Sequence, residues 1–209
     1  MKANFLIPAC IFICCITSCI NNNSKVYTTK AKLISSYPTP KGWTEETMPF
    51  PIVFAPQITY TGKEQLRFAP GWQSVASEEH WTYTFLWWLN DRPEITSDQL
   101  KQNLTDYYEG LVGRNIRERM IPVNKVTPIA VNITEKKKEE NDEATYTGVV
   151  TMTDYLDVNY SAVTLHVVIH QKKCGEHTAL IFQISPQPFQ HQIWKQLNDI
   201  LQGFFCATD

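Results

Sequence analysis

His80-Trp81-Thr82-Tyr83-Thr84-Phe85-Leu86-Trp87-Trp88-Leu89-Asn90 decides the fold. The run holds half of the six tryptophans, and that much aromatic surface needs a covering layer. Side chains alternate across a strand, so Trp81, Tyr83, Phe85, Trp87 and Leu89 share one face. The other face reads His80, Thr82, Thr84, Leu86, Trp88, polar at its start and apolar at its end. A strand is expected over 78–90, stopped by Asp91-Arg92-Pro93.

Two stretches can supply the cover. Thr96 is a good helix N-cap, and Gln99 completes a capping box. Leu100, Leu104, Tyr107, Tyr108 and Leu111 then recur at helical spacing, with Gly113 as the expected stop. Near the end, Phe189, Ile193, Trp194, Leu197, Ile200, Leu201 and Phe204 make a second stripe over 189–204.

Between these helices, strands are expected over 125–134, 144–156, 160–172 and 177–184. In the third of them, Val163, Leu165, Val167 and Ile169 face one way, and Thr164, His166 and His170 the other. The charged run 135–143 reads as a solvated hairpin tip. Upstream, the proline-punctuated stretch 48–56 suits an edge strand. Residues 58–60 and 64–68 suggest a hairpin turning at Gly62. The expected architecture is α+β: one domain over 42–209, an antiparallel sheet with both amphipathic helices packed on one face as a two-layer sandwich.

Composition narrows the function classes. Apolar residues make up 43% of the chain and charged residues 19%, a globular profile. The formal charge is −2, so there is no basic excess to attract phosphate backbones, and nucleic acid is not an expected partner. None of the eight glycines builds a phosphate-cradling loop.

The amino terminus reads as an address. Lys2 precedes a short apolar run over 5–16 that is too short for a bilayer span. It ends in Ile16-Thr17-Ser18-Cys19, which resembles the lipobox of bacterial lipoproteins. The resemblance covers only the leader, residues 1–19, and departs from the usual pattern at Ile16, where leucine is common. It implies lipidation of Cys19, a membrane anchor and an envelope location. Ile20, in place of aspartate, fits sorting to the outer membrane in that family, on its periplasmic or surface side. Asn21-Asn22-Asn23-Ser24 then opens a flexible polar tether over 20–41.

Without the leader, the remaining cysteines are Cys174 and Cys206. A strand of about eight residues spans roughly 26 Å and a helix of about sixteen roughly 24 Å. If the last helix folds back along the last strand, Cys206 returns to Cys174, and an oxidising compartment favours a disulfide.

No motif names a reaction. His166 and His170 lie four apart on a strand, roughly 13 Å, too far to share a metal ion. There is no His-Glu-x-x-His, no Cys-x-x-Cys and no Gly-x-Ser-x-Gly, so neither a metal nor a cofactor is expected. Glu64, Glu78, Glu79, Asp91, Glu94 and Asp154 are available for acid–base work, but sequence alone pairs none of them across a cleft. Aromatic faces can stack on sugars, and two tryptophans stand apart from the core row: Trp72 on the Pro70-Gly71 loop, and Trp88 on the less apolar strand face. With His166 and His170 they form the candidate ligand face. The expected function is a lipid-anchored, non-catalytic binding or accessory module engaging a protein or glycan. The alternative is an envelope hydrolase, with glycans among its candidate substrates, whose carboxylate or histidine site no motif reveals.

Overall fold

The structure, a computed structural model, describes residues 35–206. The leader, Cys19 and the first part of the tether lie outside the described residues. In chain order, a short strand β1 (Ser35–Ser36) pairs antiparallel with β9 (Phe205–Cys206). The other seven strands are β2 (Thr44–Pro49), β3 (Gly62–Phe68), β4 (Tyr83–Leu89), β5 (Ala130–Lys136), β6 (Ala144–Thr153), β7 (Ala162–Cys174) and β8 (His177–Ser185). They form one antiparallel sheet in the order β2-β3-β4-β8-β7-β6-β5. Helix α1 (Ser97–Arg119) joins β4 to the far edge strand β5, and α2 (Ile193–Gln202) follows β8.

The fold is α+β, but the two helices do not share a face. Trp81, Tyr83, Phe85, Trp87 and Leu89 pack with Leu100, Leu104, Tyr107, Tyr108 and Val112 of α1. Leu86 and Trp88 pack with Ile193, Trp194, Leu197, Ile200 and Leu201 of α2 on the opposite side. The reason is that β4 and its neighbour β8 are apolar on both faces. Phe182 and Ile184 join the first cluster, while Ala179 and Ile181 join the second. A strand buried on both sides needs two covering layers. The apolar end of the alternate face, Leu86 and Trp88, is the sequence sign of this arrangement.

Several boundaries also move. The aromatic strand starts at Tyr83, because Trp81 sits at φ 53, in the left-handed region, and turns the chain. Strand β3 pairs with β2, not with residues 58–60, so 50–61 is a connecting loop. Thr96 caps α1 as expected, its hydroxyl accepting from the Gln99 amide at 3.2 Å. The helix then runs through Gly113 and ends at Met120 in the left-handed region. A helical glycine costs about 1 kcal/mol, which burial of Val112 and Ile116 on either side outweighs. The tip over 135–143 is not wholly solvated, since Asp142 is buried. The end of the segment read as tether belongs to the fold: Tyr37 is buried against Phe204, with its hydroxyl 2.7 Å from the Thr84 hydroxyl.

Cys174 and Cys206 are joined by a disulfide, which ties β9 to the end of β7. Replacing both cysteines by serine is expected to destabilise the protein by about 3–4 kcal/mol, from the loop-closure entropy of a 32-residue separation. The check is the urea midpoint in non-reducing buffer, and an unchanged midpoint contradicts the expectation.

Candidate functional site

A cleft of about 490 Å³ opens on the α1 side of the sheet, between β2–β4 and the second half of α1. Its sheet wall is Glu46, Met48, Leu66, Phe68 and Tyr83. Its helix wall is Tyr107, Leu111, Arg114, Asn115 and Glu118. Val53 and Phe54 close one end, and Trp72, Trp81 and Tyr155 the other.

Each end is built by a specific local device. At the first, loop 50–61 lies directly on α1. A Cβ on Gly110 would come within 1.8 Å of the Phe54 carbonyl oxygen, so the contact requires glycine. It seats the Phe54 ring edge-on against Tyr107 at 5.0 Å.

At the other end, residues 69–82 fold as successive turns, and the Trp81 amide donates to the Trp72 carbonyl at 2.9 Å. Trp72 stacks on Phe68 at 4.6 Å, and Trp81 meets Tyr155 edge-on at 5.0 Å. A positive φ at a bulky residue costs on the order of 1–3 kcal/mol and persists only when its surroundings enforce it. Here Asp154 does so. Its Oδ1 accepts from the Trp81 indole N–H at 2.9 Å and from the amides of Leu156 and Asp157. Its Oδ2 lies 2.7 Å from His80 Nε2. The carboxylate therefore fixes the aromatic wall of the cleft.

The charges at the cleft differ in their commitments. Arg114 donates to Glu118 at 2.7 Å, one helical turn away. Glu46 makes no ion pair or side-chain hydrogen bond among the described residues. Glu64 lies behind the wall, on the same face of the sheet, opposite Met48 in the β2–β3 ladder. It is 0% exposed. One oxygen accepts from the Trp87 indole at 3.0 Å. The Tyr107 hydroxyl approaches as well, yet Oε2 makes no hydrogen bond of ordinary geometry. Burial pushes this carboxyl up to about 7, against the pull of the Trp87 and Tyr107 donors, and the nearby Glu46 charge adds to the rise.

The four residues expected to form a ligand face do not meet. Trp72 lines the cleft. The other three lie on the α2 side of the sheet. Trp88 is 8% exposed and stacks on His177 at 5.0 Å beneath α2. His166 is half-buried beside the Phe189 ring. His170 is 1% exposed, between Asp142 at 2.8 Å and Gln183 at 3.2 Å. Burial opposes ionisation of Asp142, but hydrogen bonds from His170, Lys172 and Thr145 outweigh it and hold the carboxyl below its ordinary range. Asp142, His170 and Lys172 form a polar network at the floor of a second cavity of about 560 Å³, beside Leu201 and Phe204, while Trp88 is covered by α2. Among the described residues no cluster of three or more potential metal ligands occurs, and no helix is long and apolar enough to cross a membrane.

Glu64 gives a test with a definite sign. Its folded value of about 7 lies above the reference 4.5. Between those pH values the unfolded chain has lost the proton that the folded chain keeps, so stability falls as pH rises and levels off above about 7. Glu64→Gln removes this loss. Relative to that variant, the wild type is expected to lose on the order of 3 kcal/mol between pH 4.5 and 7.5, measured by urea unfolding across the range. Parallel pH curves for the two proteins contradict it.

The chain matches no known protein family, no curated protein and no solved structure.

Proposed function

We propose that this chain is a non-catalytic binding module of the cell envelope, anchored through a lipid on Cys19, with the cleft beside β2 as its ligand site. The observation that carries the binding half is the lining of the cleft. Phe54, Phe68, Trp72, Trp81, Tyr83, Tyr107 and Tyr155 all face it, with charged groups only on its rim. A concave, mostly apolar pocket with few polar groups is the ordinary form of a small-molecule site. The ligand enters with an apolar body and leaves a polar end at the rim.

The hydrolase alternative has less behind it. His80 and Asp154 make a histidine–carboxylate pair beside the cleft. Asp154 spends its other oxygen on Trp81 and two backbone amides, and His80 Nδ1 is buried without a hydrogen-bond partner. That arrangement favours support of the aromatic wall as the role of the pair. The anchoring half rests on the lipobox-like leader alone.

Two measurements test the two halves separately. The neutral fluorophore N-phenyl-1-naphthylamine is expected to bind the fragment from Lys25 onward saturably with brightened emission. Trp72→Ala is expected to weaken that binding about tenfold, the loss of one aromatic wall. Equal affinity in the variant places the ligand elsewhere. For the anchor, Cys19→Ala is expected to abolish incorporation of labelled palmitate in a bacterial host, and unchanged labelling removes the anchor.

A further inference from the structure

The charge of the ligand can be read from the same cleft, on the premise that it is a binding site. Three ionisable side chains among its lining residues carry formal charge: Glu46, Glu118 and Arg114. Arg114 and Glu118 neutralise each other at 2.7 Å, which leaves the Glu46 carboxylate. Glu64 stands behind Met48 and Tyr107, both lining residues. Glu46 lies opposite Leu66, and Glu64 opposite Met48, on adjacent paired strands. The two residues are therefore diagonal neighbours on one sheet face, with Cα atoms roughly 7–8 Å apart. Each has oxygen capacity to spare: Glu46 at the mouth, and Glu64 at its fully buried Oε2, which the Tyr107 hydroxyl approaches without a hydrogen bond of ordinary geometry.

A carboxylate at the rim and a buried carboxyl behind it that resists ionisation form a pair that one kind of ligand relieves. A positive charge placed near Met48 and Tyr107 is attracted by both carboxylates and favours the ionised form of Glu64. It also meets the negative faces of the surrounding rings. One of the lining rings already carries a cation of the fold, since the Arg119 guanidinium lies 5.4 Å from the centre of the Tyr155 ring. Arg119 is not itself a lining residue and sits at the Tyr155 end. An anionic head would face Glu46, and the charge of Arg114 is already offset by Glu118.

We infer that the cleft selects an organic ammonium ion, its apolar or aromatic body between Tyr107, Phe68 and Trp72 and its cationic end at Glu46, with Glu64 behind.

Three probes of matched shape test this: 4-phenylbutylammonium, 4-phenylbutan-1-ol and 4-phenylbutanoate, titrated calorimetrically into the protein at pH 7.5 and low salt. The ammonium is expected to bind about tenfold more tightly than the alcohol, and the carboxylate more weakly than either. Glu46→Gln and Glu64→Gln are each expected to shrink the ammonium-to-alcohol ratio, whereas Trp72→Ala weakens the binding of both. The ratio is read on wild type first, so the assignment stands or falls even if a variant fails to fold. An alcohol or carboxylate that binds as tightly as the ammonium overturns the charge assignment and leaves the cleft as a site. If none of the three binds, the assignment is overturned. Saturable binding of N-phenyl-1-naphthylamine then shows whether the cleft reading survives it, and its absence means that both fail together.

Discussion

Phe85 is the residue around which this protein is packed. Its ring stacks on Phe182 of the neighbouring strand at 4.3 Å and on Tyr107 of α1 at 5.5 Å, nearly parallel to both. Tyr83 lies stacked at 6.0 Å along the same strand. Pairs of this kind contribute about 0.5–1.5 kcal/mol each beyond the area they bury. More important is what they fix. The contact with Phe182 aligns β4 against β8, and the contact with Tyr107 sets the depth of α1 over the sheet. The register of the sheet and the position of the helix thus depend on one set of rings. The cleft inherits its walls from that set, since Tyr83 and Tyr107 belong to both.

The helices show how much of this was legible in the sequence and how much was not. The capping box at Thr96, the apolar spacing from Leu100 to Tyr108 and the alternation in β7 each follow from local rules, and the elements are there. Which face each helix covers does not follow from local rules. It depends on β4 lying beside β8, so that Leu86, Trp88, Ala179 and Ile181 form a second apolar surface. Pairing between residues about a hundred positions apart leaves no mark in either segment alone. The one hint was Leu86 and Trp88 breaking the polar face.

The site was less legible for the same reason. Trp72 could be singled out because Pro70-Gly71 places it on a loop. Phe54, Phe68 and Tyr155 come from separate segments and meet only in space. Glu64 stood among the available carboxylates, and its parity with Leu66 and Phe68 on a strand was the available sign that it points inward. His170 misled because a histidine opposite valines looks solvated, whereas Asp142 returns from a charged loop to bury it. Gly110 carried no signal at all, since its role is to leave room for a carbonyl more than fifty residues earlier.

The short ladder between Ser35–Ser36 and Phe205–Cys206 bears on access. The chain enters the described fold there, and Tyr37 goes straight into the cluster under α2. The cleft opens on the other side of the sheet. A layer of seven paired strands, about 10 Å from one packed layer to the next, stands between the point of entry and the mouth of the cleft. The amino-terminal end of the described fold and the mouth of the cleft therefore lie on opposite sides of the sheet.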